Sequence, residues 1–515
     1  MHVPMNVRNF LDRGFTYFAD RVAIVDEPGE PGGLGSITYR ELGQRARGMA
    51  VELDRMGIDR GERIAIVSPN AARFLIALFG VSGYERVLVP INYRLGQEEI
   101  AYIIEHSGAS VLLVDPQCQH QCARTSVKHR FVLDGVEDEA LFAPSDDAAG
   151  APTSDEDSTV SINYTSGTTA RPKGVELTHR NLWINAMTFG WHLGVSEADV
   201  YLHTLPMFHC NGWGMPYALA AMGARQVVLR KIDGDEILDR VRREGVTLLC
   251  GAPAVVNTIL DASTRRNEHD GATGETGNVR IVVAGAPTPT RTVERVESEL
   301  RWEYIQAYGL TETSPILTIN RAPRSSWEPS TSDERSRRLA RAGVPCVGVD
   351  IAIDPSGEVL ARANQVFTGY WSQSEETAQA LEGGWFHTGD VGYLDDDRVL
   401  VITDRRKDVI ITGGENVSAT EVEDCLYQHP DVAEAAVIGV PHDRWGETVK
   451  ALVVTKNGVD VSPAALIEHC RAHLAHFKCP TSVEFRSALE RTATGKLQKY
   501  KLRAPYWADG AQQML

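Results

Sequence analysis

Short apolar runs rich in β-branched residues alternate with helical patterns along the first part of the chain, and this alternation constrains the fold more than any other feature. RIAIVSPN (63–70), RVLVPIN (86–92) and SVLLVD (110–115) read as buried strands, and ARFLIALFGVSGY (72–84) as a helix between two of them. Strands that are apolar on both faces need helices to cover them, so the pattern predicts largely parallel α/β sheets. A second run of the same kind extends from Val160 to about Asp354. Its strands are VYLHTLP, QVVLR, VTLLCGAP and VRIVVAGAP, and its helices are EILDRVRREG and TVERVESEL. The acidic, small-residue stretch 143–159 reads as a flexible connector, and the charged stretch 322–341 as an exposed loop with a short helix. From Val344 the pattern becomes strand-rich. Past Asp404 a compact α+β order follows, in which helices alternate with the strands VAEAAVIGV, ETVKALVV and SVEF. The expected organisation is a large N-terminal domain of stacked α/β sheets with a β-rich subdomain (1–404) and a small mobile α+β C-terminal domain (405–515).

Charge narrows the partners. The chain of 515 residues carries 69 acidic and 52 basic side chains, a net charge of −17. That balance repels nucleic acid and anionic membrane, so any anionic ligand needs a local basic or amide-lined pocket. No apolar run approaches the roughly 18 residues of a membrane span. The N-terminus MHVPMNVRNFLDRGF lacks the apolar core of a signal peptide. A cytoplasmic protein with reduced thiols is expected, and a homodimer is the assembly entertained for it. Its eight cysteines show no disulfide spacing. Cys118-Gln-His120-Gln-Cys122 lacks a second ligand pair at a zinc spacing. His469, His473 and His476 fall on one helical face near Cys470 and Cys479, which reads as an ordinary solvated or half-buried face.

Chemistry concentrates in a few strings. Tyr164-Thr-Ser-Gly-Thr-Thr-Ala-Arg-Pro-Lys-Gly174 follows the strand-like VSIN. Thr165, Ser166, Gly167, Thr168 and Thr169 offer amide and hydroxyl donors to phosphate oxygens, and Lys173 adds a cation. The Gly-to-Lys spacing and the Gly after Lys173 exclude a Walker A loop. The string resembles the phosphate loop of the acyl-adenylate-forming superfamily, which includes acyl-CoA synthetases, luciferases and peptide-synthetase adenylation domains. The resemblance continues along nearly the whole chain. It implies ATP, Mg²⁺ and coenzyme A as reactants or cofactor, and a carboxylic acid as substrate.

Tyr308-Gly-Leu-Thr-Glu312 resembles the family's aromatic-Gly-x-Thr-Glu motif. Tyr308 would stack on adenine, Thr311 would bind the α-phosphate, and Glu312, with Thr168, would hold Mg²⁺. Gly285-Ala286-Pro287 resembles the segment lining the adenine and acyl pockets. The Asp390 of His387-Thr-Gly-Asp390 would bind both ribose hydroxyls, a role that suits a carboxylate, with Arg405 a further ribose ligand. Lys407, in Asp404-Arg-Arg-Lys-Asp408, would be the hinge, and Gly413, Gly414 and Glu415 would border the pantetheine path. Lys496 matches the signature lysine that neutralises the approaching anions during adenylation. Lys499, Lys501 and Arg503 beyond it read as solvated surface.

His209, Asn211, Gly212 and Trp213 look like the acyl-pocket segment of plant-type acyl-activating enzymes and of bacterial medium-chain and methylmercaptopropionate CoA ligases. Trp213 reads either as a pocket wall or as ordinary core. The first reading favours short-to-medium or aromatic acids. Tyr84-Glu85-Arg86 stands where that family usually has small apolar residues. The rival function is an adenylating enzyme without CoA, loading a carrier protein or activating a non-carboxylate such as nitrite.

Overall fold

A computed structural model describes the chain apart from residues 1–2, 31, 148–154, 166–170, 271–277, 323–330, 407, 413–414, 443, 457–458, 460, 493–496 and 508–515, and the side chains of 268–270. Much of the connector, and the first part of the charged stretch, lie outside the described residues. The expected helix in that charged stretch forms at Ser332–Leu339, where Thr331 accepts from the amide of Glu334 as N-cap.

Among the described residues, four sheets form. The strands read as buried from sequence do lie inside. Arg63–Val67, Val87–Ile91 and Val111–Val114 run parallel in a seven-stranded sheet, with the helix Ala72–Gly80 buried along its length. A nine-stranded sheet sets Val200–His203, Leu248–Gly251, Arg280–Val283 and Glu303–Gly309 side by side in parallel. Side chains of these two sheets and of the helices on them make one large core. The strand-rich stretch after Val344 becomes a four-stranded antiparallel sheet that contains Phe386–Leu394 and Leu400–Arg405.

The last sheet belongs to the C-terminal unit. Its long hairpin, Val432–His442 with Gly446–Thr455, is flanked by the short strands Ile410–Thr412, Glu415–Val417 and Ser482–Phe485. The helices Ala419–Gln428 and Pro463–His473 close a separate core around Val422, Leu426, Val437 and Leu466. Asp424 ties this unit to the N-terminal part by accepting from the amide of Thr290 at 2.9 Å and from its hydroxyl at 3.0 Å.

The unusual Tyr84-Glu85-Arg86 has a local explanation. Arg86 is buried, pairs with Asp54 and donates to the carbonyl of Ile58, so a charged residue substitutes for apolar packing by satisfying its own donors.

Candidate active site

Parallel strands of an α/β sheet end on one side, and ligand-binding loops collect there. In the nine-stranded sheet, the C-terminal ends of Val200–His203, Arg280–Val283 and Glu303–Gly309 lead into Pro206–Trp213, Gly285–Pro287 and Tyr308–Glu312 respectively. Three separated strings of the sequence thereby share one edge. Gly309 permits a tight crossing at this edge: a Cβ there would lie 1.7 Å from the carbonyl oxygen of Pro315.

The seven-stranded sheet brings up a hairpin in which Thr165 pairs with Lys173. Gly369–Tyr370 adds beside it, with Tyr370 opposite Val175. The Lys173 ammonium lies 4.8 Å from the centroid of the Tyr370 ring. The Tyr370 hydroxyl donates to Glu312 Oε1 at 2.9 Å, and burial and the Glu312 charge hold that phenol far above its ordinary pKa. The Phe367 amide donates to the Glu312 carbonyl at 2.7 Å. Lys173 and Glu312 are thus brought to one place by an aromatic residue that sequence reasoning missed. Its signal was the Gly-Tyr-Trp string (369–371), whose aromatics alone read as packing.

The four-stranded sheet supplies the third side. Asp390 and Arg405 are register partners, and Arg405 Nε lies 2.7 Å from Asp390 Oδ1. The Tyr308 hydroxyl donates to Asp390 Oδ2 at 2.7 Å. Burial disfavours the Arg405 cation, but Asp390, Tyr308 and Glu312 outweigh it and raise its pKa. Thr388 holds the turn by donating to the Val359 carbonyl and accepting from the Asp390 amide.

The acyl-pocket string has an uncommon backbone. Cys210, Asn211, Gly212, Trp213 and Gly214 all have positive φ, from 48° to 76°. Each non-glycine residue there costs about 1 kcal/mol or more, so neighbours must hold it. They do so at several points. Asn211 Oδ1 accepts from Ser161 and Asn163, and Asn185 Nδ2 donates to the Trp213 carbonyl at 3.1 Å. Cys210 Sγ donates to Thr311 Oγ1 at 3.2 Å, and burial pushes that thiol up to about 12, so it stays protonated. This contact to Thr311 was also missed by sequence, because a lone cysteine carries no positional signal. Trp213 is 3 % exposed and shares the main core with Met207, Phe208 and Tyr217. His209 sits half-buried at the start of the turn, and Gly285, Ala286 and Pro287 form a loop at the sheet edge.

Of the other residues singled out, Ser166, Gly167, Thr168, Thr169, Lys407, Gly413, Gly414 and Lys496 lie outside the described residues. Glu415 is exposed on its short strand in the C-terminal sheet. The expectation for Lys499 is overturned. Instead of solvated surface, its ammonium lies 2.9 Å from Glu423 and 4.0 Å from Asp404. Burial disfavours the Lys499 cation, but the two carboxylates prevail and raise its pKa. Leu502, buried three residues on, marks the helix face that turns inward.

Comparison with known proteins agrees along the chain. The family model for AMP-binding enzymes matches residues 11–371, and that for the AMP-binding enzyme C-terminal domain matches 421–496. A 2-methylpropanoate–CoA ligase of Humulus lupulus is 34% identical over 97% of this chain and 95% of its own. A 4-hydroxybutyrate–CoA ligase of Metallosphaera sedula is 35% identical over 96% and 93%. The crystal structure of an anthranilate CoA ligase with anthranoyl-AMP superposes with a TM-score of 0.88 at 25% identity, covering 99% of both chains. With two domain models matched in order and kinship across nearly the full length, the chain belongs to the AMP-binding enzyme family.

Proposed function

We propose that this enzyme activates a short-to-medium-chain, branched or aromatic carboxylic acid, and that the residues gathered at the sheet edges carry the reaction. The chain is an ATP-dependent acyl-CoA synthetase that joins a carboxylic acid to coenzyme A by way of an acyl-adenylate. The observation that most supports the site assignment is the convergence of Tyr308, Asp390 and Arg405. An aromatic ring, a carboxylate suited to a vicinal diol and a cation meet there, the groups an adenosine calls for. On ATP binding, Asp390 would exchange some of its protein donors for ribose hydroxyls.

Thr165–Thr169 and Lys173 would take the β- and γ-phosphates, with Thr311 on the α-phosphate and Lys496 meeting both anions. A carboxylate at Glu312 beside that phosphate path is the hard oxygen donor Mg²⁺ prefers, so Glu312 with Thr168 would hold the ion, which supplies charge neutralisation when bound. The acid's carboxylate oxygen attacks the α-phosphorus, and the bond to the leaving pyrophosphate breaks. The CoA thiolate then attacks the acyl carbon and AMP leaves with the electron pair of the anhydride bond. The two steps need different groups beside one adenylate. Rotation of 405–515 about Lys407 would replace Lys496 by the Gly413–Glu415 edge. The change of sheet between Arg405 and Ile410 supports that division.

Acid choice is assigned to His209–Trp213 and Gly285–Pro287. The first string is locked against Thr311 and the strand Thr159–Thr165, which supports a bounded pocket. A cytoplasmic location, where the eight free cysteines stay reduced, and a homodimer belong to the same reading. No helix among the described residues is long and apolar enough to cross a membrane. The test of acid choice is acyl-CoA formation across butyrate, 2-methylpropanoate, benzoate and palmitate. Preference for one of the first three is expected, and preference for palmitate overturns the bounded pocket.

A further inference from the structure

The C-terminal core contains a cluster that the reaction leaves unused. Cys425 on the helix Ala419–Gln428 faces His469 and His473, one turn apart on the helix Pro463–His473. One ligand atom from each of the three lies within 4.8 Å of the others. Two ligands of one tetrahedral zinc ion sit about 3.3–3.6 Å apart, so closure draws these atoms inward by up to about 1.5 Å, a movement within reach of side-chain rotation.

The hydrogen bonds around the two imidazoles fix which nitrogen of each carries the proton. His469 Nε2 meets the Cys425 carbonyl at 3.0 Å, and His473 Nδ1 meets the His469 carbonyl at 2.8 Å. A carbonyl oxygen only accepts, so each of these nitrogens carries the proton. The other nitrogen of each ring, His469 Nδ1 and His473 Nε2, therefore presents a lone pair. Metal-bound histidines are held in this way, with the second N–H donated to a carbonyl or carboxylate.

We infer that Cys425, His469 and His473 form a Zn²⁺ site on the C-terminal unit, separate from the cleft. His429 meets His469 edge-on, its Nδ1 accepts from the Asp431 amide at 3.3 Å, and it stands outside the ligand set. His473 is exposed, so the fourth coordination position opens to solvent. On binding, the Cys425 thiol releases its proton to solvent and the thiolate enters the coordination sphere. Glu423 and Asp424, which precede Cys425, contact Lys499 and Thr290, so the ion would sit on the helix that joins the two parts of the chain.

The test titrates full-length, untagged protein with Co²⁺ as a visible stand-in, followed by displacement with Zn²⁺. Wild type is expected to show a thiolate-to-cobalt charge-transfer band that saturates at one equivalent and disappears on adding Zn²⁺. Cys425→Ser is expected to lose the band. His473→Gln changes an exposed side chain and leaves the core intact, and it should weaken binding by about tenfold or more. Cys470→Ser should keep the band. Absence of a charge-transfer band in wild type, undiminished binding in His473→Gln, or a band that depends on Cys470 and not on Cys425 overturns the assignment.

Discussion

Asp404 and Arg405 are adjacent in one strand, and their side chains serve different parts of the molecule. Successive strand residues point to opposite faces. Arg405 reaches Asp390 in the cleft, whereas Asp404 accepts from the Ala419 amide at 2.8 Å and lies beside Lys499 of the C-terminal unit. The Arg405 side chain is 34 % exposed, so its partners can be exchanged for a ligand. Lys499 is 13 % exposed and Glu423 12 %, so their pairing is sealed from water. The same kinds of charge therefore do different work. In the proposed cleft they would be exchanged for substrate, and behind it they tie the strand to the C-terminal unit.

The sharpest way to break this contrast is to remove one charge from each side. Lys499→Met leaves Glu423 and Asp404 buried without their cation, and it should lower stability by about 3–5 kcal/mol in denaturant unfolding. Arg405→Met removes a partly exposed cation and leaves Asp390 the Tyr308 hydroxyl as donor, so it should cost less stability than Lys499→Met while raising KM for ATP. Equal losses of stability in the two variants would erase the distinction.

Lys496→Ala tests the division from the chemical side. It should reduce adenylate formation by roughly 10²-fold or more, about 3 kcal/mol of transition-state stabilisation, and spare thioester formation from supplied acyl-adenylate. Equal loss in both half-reactions would show that the C-terminal unit does not divide its work between two arrangements.

Acid should distinguish the two parts as well. His179 and His203 are buried in the N-terminal part, and burial lowers each from 6.5 to about 4. Their folded pKa lies below the unfolded one, so the unfolded state binds more protons as pH falls. The stability they contribute is present above pH 6.5 and is lost as pH falls toward 4, up to about 3 kcal/mol each. Hydrogen exchange should show the helix His179–Leu193 losing protection across that window. Unchanged protection down to pH 4 would contradict the assignment.

The smallest expected effect concerns the pocket. Trp213→Ala should move the preferred acid longer by one or two methylenes, each worth about 0.8 kcal/mol. An unchanged chain-length profile would leave Trp213 as core packing alone.

The alternation of buried strands and helices was readable because doubly covered strands must be apolar throughout, as Arg63–Val67 and Val111–Val114 are. Tyr308, Asp390 and Arg405 each sit in a motif with a distinct chemical demand, and the structure joins them directly, which is the ground for the proposed nucleotide site. Tyr370 and Cys210 were not readable, since their importance lies in meeting Glu312 and Thr311 across long sequence separations. Lys499 was misread for a related reason. In a row of cations with Lys501 and Arg503, only tertiary packing decides which one turns inward. Cys425 carried no mark either, because its distance in sequence from His469 hides a facing pair of helices.

The most direct test of the central claim is the product stoichiometry of the purified enzyme with ATP, Mg²⁺, CoA and 2-methylpropanoate or benzoate. The account predicts AMP, pyrophosphate and acyl-CoA in equal amounts, with thioester absent when CoA is withheld. ADP and phosphate as products, or AMP released at the same rate with no acyl-CoA formed from any acid tried, would contradict it.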